Sequence, residues 1–188
     1  MISLARFYRS LAFVFTLVSS VGVASAQGPV HLSEHFSLLE FRVSATADKL
    51  GLHIQPTVPQ AVRLTVLCQR LLQPLRNACG PIRVLSGLRS VELNRAVKGV
   101  EGSKHITGEA VDITAEWLTN RDLFLWLAAN ADFDQLIHYP THVHVSYRLT
   151  GRRQLTLVAK PTRKGWRYIR WNSSLNSPVT RKRPTWHI

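Results

Sequence analysis

The spacing of apolar residues predicts one long amphipathic helix in the first half of the chain. Between positions 62 and 75 the apolar side chains recur at helical spacing, at Val62, Val66, Leu67, Leu71 and Leu75. Pro59 suits the first turn of this helix. The pattern continues to Asn77, and Gly80 followed by Pro81 predicts the C-terminal stop.

The second half of the chain predicts short strands. Five β-branched or alternating runs stand at residues 82–85, 109–114, 133–137, 142–147 and 154–158. Three shorter helices are predicted around them: one within 31–41 capped by Ser33, one capped by Ser90, and one over 123–129 capped by Asn120. This order predicts an α+β domain with a small, mainly antiparallel sheet and flanking helices.

The first 26 residues predict a secretory signal peptide. Arg6 and Arg9 precede an apolar run over 11–23, and the small-x-small sequence at 24–26 resembles a cleavage site. The alternative is a membrane anchor, although the run is short for a bilayer span of about 20 residues. We therefore expect an exported protein, periplasmic or extracellular and associated with the cell envelope, with no transmembrane segment after cleavage.

The rest of the chain divides by composition into a domain over 27–160 and a basic, aromatic tail over 161–188. The chain has 24 Lys and Arg against 11 Asp and Glu, and from Gln135 onward it has eleven basic and no acidic residues. Such a surface favours polyanions: wall polymers, anionic lipid headgroups or nucleic acid. We expect the tail to contact anionic envelope polymers and to contain one extra strand. Export disfavours nucleic acid, and we expect a monomer.

The two cysteines lie in the long helix. Cys68 and Cys79 are eleven residues apart, which is about 16 Å of helical rise. A disulfide requires Cα atoms within about 7 Å. Unless the helix breaks at Pro74, both are expected to be buried free thiols.

The stretch from Ser103 to Asp112 contains two candidate metal ligands, His105 and Asp112. Their side chains can meet only if the chain turns between them, and Gly108 permits such a turn. Ala110 shares a strand face with Asp112 and leaves room beside it.

A second candidate element is the His142–Val143–His144–Val145 alternation. It places both histidines on one face of a strand and both valines on the other. A His, an Asp and a His would provide three ligands and leave a fourth position for water. That arrangement is typical of catalytic rather than structural zinc.

These two elements resemble the motifs of the zinc D-Ala-D-Ala carboxypeptidase family of metallopeptidases. SKHITGEAVD resembles the family's SxHxxGxAxD motif, and HVH resembles its terminal His-x-His. Further similar segments follow in family order from about His31 to about Lys160: LSEHFSLLEF, LLQPLRNACG, PIRVLSGLRS, LNRAV and FDQLI. The family includes endolysins that cut the L-alanyl-D-glutamate bond and D-Ala-D-Ala dipeptidases, and its fold is similar to the Hedgehog signalling domain.

The resemblance implies a role for each matching residue. His105, Asp112 and His144 would bind Zn²⁺, and the non-ligand His142 would stabilise the transition state or carry a proton. Arg89 would hold the substrate in the catalytic site, a task for which a guanidinium fork suits a carboxylate. Ser103 would support the ligand loop beside the substrate.

The sequence departs from the family pattern at the general base. Relatives carry Glu or Asp three or six residues before the final ligand, where this chain has Thr141 and His138. A general base must reach the attacking water. Three candidates stay open: His142, His138, and Asp134 as the nearest carboxylate.

The expected function is zinc-dependent hydrolysis of peptidoglycan stem or cross-link peptides, as a carboxypeptidase or an endopeptidase. The missing carboxylate leaves an alternative, a catalytically inactive, zinc-stabilised module that binds the cell wall. A third hypothesis is nucleic-acid binding through the basic tail, where aromatic and basic residues alternate.

Overall fold

The structure is a computed structural model that describes residues 29–172. The predicted signal peptide and the last part of the tail, 173–188, lie outside the described residues. Within 29–172, no helix combines the length and the hydrophobicity that crossing a bilayer requires.

The long helix predicted from the apolar spacing is present and contains a wider turn. It consists of α2 (Val58–Leu67), a π-helical turn (Cys68–Leu72) and α3 (Gln73–Cys79). Pro74 lacks an N–H and its ring crowds the preceding turn, and a single π turn relieves such crowding without ending a helix. The helix therefore does not break at Pro74. Both cysteines are buried and free, as predicted.

The N-terminal segment differs from its prediction. It forms β1 (His31–Ser33), β2 (Phe36–Ser37), a 3-10 helix (Leu38–Phe41) and the unpredicted α1 (Ala45–Lys49). Ser33 is not the helix cap, because it lies in β1 and its hydroxyl donates to Gln73. Ser37 takes that position, and its backbone N–H donates to the Glu40 carboxylate at 2.7 Å.

The main sheet has six strands. They are β3 (Ile82–Ser86), β4 (Ala110–Ala115), β5 (Gln135–His138), β6 (Val143–Ser146), β7 (Leu155–Thr162) and β8 (Gly165–Arg170). Their order is β3-β4-β6-β5-β7-β8, and every pair is antiparallel except β5 with β7. The prediction of an α+β domain with a small, mainly antiparallel sheet is confirmed.

Two further helices connect these strands, α4 (Val91–Ala96) and α5 (Asn120–Asn130). Ser90 caps α4 as predicted, accepting from the backbone of Leu93. The cap predicted for α5 is wrong by one residue. Thr119 occupies it and accepts from the Asp122 N–H, so Asn120 is the first helical residue.

The two faces of the sheet have different environments. Val111, Ile113, Val143, Val145 and Leu136 are fully buried in the core. They share this core with apolar residues of α2, α3 and α5. Burying each such side chain contributes about 1.5–3 kcal/mol. The alternate residues of β4, β5 and β6 consequently lie on the opposite face, where the candidate site is found.

The sheet continues past the predicted domain boundary at residue 160. That boundary falls inside β7, and β8 pairs with β7 from Leu157↔Arg170 to Thr162↔Gly165. The extra strand predicted in the tail is thus present as β8, and it forms an edge of the main sheet.

Candidate metal centre and active site

The pairing of β4 with β6 brings two of the three predicted ligands together. Asp112 and His144 are direct partners in this antiparallel register. Directly opposed residues have side chains on the same face and close to one another. Ala110, two residues before Asp112, is opposite Ser146 and places only a methyl group on this face.

His105 reaches the same place because the chain turns at Gly108, as predicted. Gly108 has φ +74°, and a Cβ there would lie 2.8 Å from the Gln60 carbonyl oxygen. Only glycine adopts this conformation without strain. Gln60 on α2 also donates through Nε2 to the Ile106 carbonyl at 2.9 Å. The helix therefore holds the turn that carries His105.

The donor atoms of His105, Asp112 and His144 form a compact triangle. His105 Nε2 lies 3.2 Å from His144 Nδ1 and 3.3 Å from Asp112 Oδ1. The third distance, from His144 Nδ1 to Asp112 Oδ1, is 2.8 Å. Donors bound at about 2.0–2.1 Å around a tetrahedral zinc ion lie about 3.3 Å apart. The donor set, two imidazole nitrogens and one carboxylate oxygen, fits zinc in both spacing and chemistry.

The surroundings of His105 orient its ring for metal binding. Its Nδ1 lies 2.7 Å from the Gly87 carbonyl oxygen. Because a carbonyl only accepts, Nδ1 carries the proton and Nε2 presents a lone pair to the triangle. Such a hydrogen bond is the usual way in which a ligating imidazole is held. Burial lowers the pKa of His105, although Asp112 acts in the opposite direction, and this favours the neutral ring.

Asp112 is held in its ionised form. Burial alone would raise its pKa, but the neighbouring His105 and His144 hold the pKa well below the usual value. Arg89 contacts the carboxylate oxygen that lies outside the triangle, with Nη2 at 2.8 Å from Oδ2. Arg89 Nε and Nη2 also donate to Ser86 Oγ, at 3.0 and 2.9 Å. Arg89 therefore orients Asp112, a contact that the sequence did not predict.

His142 also lies at the site. Its Nε2 is 3.9 Å from Asp112 Oδ1, and its Nδ1 is 3.0 Å from Thr141 Oγ1. The ring stacks on Tyr139, with centroids 4.5 Å apart and an interplanar angle of 15°. Burial lowers the pKa of His142, with Asp112 opposing.

The structure does not bring His138 to the site. It is opposite Val143 in the register, on the core face of the sheet, and its ring packs edge-on against Phe124 at 5.5 Å. The turn between β5 and β6 explains this placement. Tyr139 donates to His142 across a two-residue turn, so Ile137 rather than His138 pairs with His144.

Asp134 is fully buried and forms an ion pair with Arg153. Its two carboxylate oxygens accept from Arg153 Nε at 3.0 Å and Nη2 at 2.6 Å. Hydrogen bonds from Arg153 hold the pKa of Asp134 low in spite of burial. This is the environment of a structural ion pair.

The site opens into a cavity of about 630 Å³. The cavity is lined by six residues selected from the sequence: Arg89, Ser103, His105, Asp112, His142 and His144. It is also lined by three aromatic residues that were not predicted to belong to the site: Tyr139, Trp166 and Tyr168. The alternation of aromatic and basic residues over 166–171 could have predicted part of this lining. Alternate residues of a strand lie on one face, so residues 166 and 168 share a face.

Comparison with known proteins gives one family. A sequence model described as Peptidase M15 matches residues 34–146. This range spans more than half of the chain and includes every residue of the donor triangle. No match was found among curated individual proteins.

Proposed function

This chain belongs to the Peptidase M15 family, a family of zinc-dependent metallopeptidases, and we propose that it hydrolyses the stem or cross-link peptides of peptidoglycan. The observation that carries the proposal is the triangle of His105, Asp112 and His144, whose donor atoms lie 2.8–3.3 Å apart. The sequence motifs and the expected export support peptidoglycan as the substrate.

In the proposed site His105 Nε2, Asp112 Oδ1 and His144 Nδ1 hold the zinc ion. When bound, zinc lowers the pKa of a water molecule to about 7 and polarises a carbonyl group. The protein contributes the rigidity of the three ligands. Two of them lie on paired strands, and the third is fixed by its hydrogen bond to Gly87.

Arg89 has two tasks in this proposal. Through Nη2 it holds the Asp112 carboxylate in place. Nη1 makes no hydrogen bond with the residues that the structure describes, and Arg89 lines the cavity. In the proposal, Nη1 binds a substrate carboxylate. Ser103 lines the same cavity and supports the loop, where its carbonyl accepts from the Ile106 N–H.

His142 is the proposed proton carrier. Of the three candidates from the sequence, it alone lines the cavity, since His138 packs on Phe124 and Asp134 is paired with Arg153. Thr141 and Tyr139 hold its ring. Its Nε2 lies beside the triangle, where it accepts a proton during attack and returns it to the leaving amine.

The inactive wall-binding module is not favoured by membership in a peptidase family. The chain retains both a complete donor set and a histidine beside it that can transfer a proton. A module without turnover needs the first of these features and not the second.

The test is mass spectrometry of purified muropeptides after incubation with the zinc-loaded protein, with and without a chelator. We expect zinc-dependent release of amino acids or shortened peptides, and the masses identify the bond. His105→Ala and Asp112→Ala should lose zinc and cleavage together. His138→Gln is the matched control, because this histidine lies on the other face, and it should retain both. Cleavage that persisted in either ligand variant would exclude the proposed mechanism.

A further inference from the structure

Strand β8 follows the segment that matches the family, and it presents two aromatic side chains to the site. The register runs from His144↔Ile137 through Ile137↔Leu157 to Leu157↔Arg170. Directly paired residues share a face, and so do alternate residues of one strand. Tyr168 and Trp166 therefore lie on the face that carries the donor triangle, and both line its cavity.

These aromatic residues connect directly to the catalytic histidine proposed above. The Tyr168 hydroxyl is 2.9 Å from the Tyr139 hydroxyl, and the Trp166 ring meets Tyr139 edge-on at 5.1 Å. Tyr139 in turn stacks on His142. One wall of the cavity is thus a continuous aromatic surface from β8 to His142.

The wall leaves apolar area open to solvent. Trp166 is 46 % exposed and Tyr168 is 44 % exposed, although each has one edge fixed by Tyr139. Aromatic side chains that are rigid and partly exposed within a cleft provide contact area at a low cost in conformational entropy. This surface suits a ligand that packs flat against it.

The charged side chains that line the cavity indicate that this ligand is negatively charged. Three of its cations have acidic partners: Arg89 with Asp112, Lys104 with Glu109, and Arg153 with Asp134. Two others, Lys98 and Arg148, line the cavity and form no salt bridge with any residue in the range 29–172. Cations that form no salt bridge in a cleft attract and hold anions.

We propose that the β7–β8 hairpin is part of the substrate-binding site: Trp166 and Tyr168 pack against an acidic peptide whose carboxylates bind Arg148 and Lys98. This inference rests on the proposed peptidase function and specifies its substrate as a peptide with carboxylates beyond the scissile bond. It assigns substrate binding to a strand that lies outside the family match.

The test is steady-state cleavage of a soluble stem pentapeptide that ends in D-Ala-D-Ala and carries several carboxylates, by the full zinc-loaded protein. Trp166→Ala should raise KM about fivefold or more, as expected for truncation of a binding aromatic residue, and leave kcat within about twofold. Arg148→Ala should raise KM similarly and weaken its dependence on salt.

Two controls come from the same hairpin. Arg167→Ala removes an exposed side chain on the opposite face of β8, and Arg163→Ala removes a cation at the hairpin turn. Both should keep the wild-type KM. Zinc content and far-UV circular dichroism show that each variant is folded. An unchanged KM in both Trp166→Ala and Arg148→Ala would overturn the proposal.

Peptide binding measured by isothermal titration calorimetry distinguishes a failure of this proposal from a failure of the proposed function. If the wild type cleaves neither the pentapeptide nor the purified muropeptides but binds the pentapeptide, hydrolysis fails as the function. The hairpin proposal then stands if Trp166→Ala and Arg148→Ala weaken binding, and falls if they do not. If the wild type neither cleaves nor binds the pentapeptide, both proposals are wrong.

Discussion

The Asp134–Arg153 pair gives a sharp prediction, because it separates a structural carboxylate from a catalytic one. Asp134 is fully buried, accepts two hydrogen bonds from the Arg153 guanidinium, and accepts a third from the Arg153 backbone N–H at 3.2 Å. Asp134→Asn removes the charge while keeping the shape. Breaking a buried ion pair costs about 3–5 kcal/mol. Since the Arg153 side chain is 48 % exposed, water compensates part of this, and we expect a loss of about 2–3 kcal/mol.

The assay is urea and thermal unfolding of the chelator-treated protein at pH 7. A loss of that size lowers Tm by about 5–10 °C in a domain of this length. Asp132→Asn is the matched control. Asp132 pairs with Arg152 at 2.8 Å, but its side chain is 53 % exposed, so this variant should lose at most about 1 kcal/mol.

The pH dependence provides a second check. The pKa of Asp134 is lower in the folded protein than in the unfolded chain. Its contribution is therefore fully present above the unfolded value, about 3.9, and is lost as pH falls through the folded value. The difference between wild type and Asp134→Asn should shrink below about pH 4. If Asp134→Asn kept full stability but reduced kcat by about 10²-fold or more, Asp134 would be the general base and the structural assignment would be refuted.

Three further predictions concern the site and the helix. Gly108→Ala should lower the free energy of unfolding by about 1–3 kcal/mol, because the added Cβ would lie 2.8 Å from the Gln60 carbonyl oxygen. It should also weaken zinc binding, measured by competition with a chromophoric chelator. Unchanged zinc affinity would contradict the role of this turn. Arg89→Lys should lower zinc affinity about 10–100-fold in the same assay. An ammonium lacks the planar fork whose Nε and Nη2 both hold Ser86 while Nη2 also contacts the Asp112 carboxylate. Wild-type affinity in this variant would show that Arg89 does not orient the ligand. Burial raises the pKa of Cys79 to about 11, so the thiols should stay unreactive toward a disulfide reagent at pH 7.5 and react fully in urea; rapid labelling of the folded protein would contradict their burial.

Several elements were predictable because their signals are local. The helical spacing over 62–75 and the alternation of histidine and valine at 142–145 each describe a single segment. Gly108 was predictable as a turn, since few other residues adopt its φ. The caps at Ser33 and Asn120 were wrong because several adjacent polar residues can cap a helix. Only the packing of the neighbouring segments selects Ser37 and Thr119.

The site depended on information that no single segment contains. Alternation shows which residues of one strand share a face, but it does not show which strand lies next to which, or in what register. The tertiary structure opposes Asp112 to His144, turns His138 toward the core and brings Arg89 against Asp112. It also joins β8 to the sheet beside the cavity. The sequence by itself thus determined the identity of the candidate metal donors and the local turns that carry them. Long-range strand pairing around the buried core decided which residues orient those donors and which aromatic residues line the cavity with them.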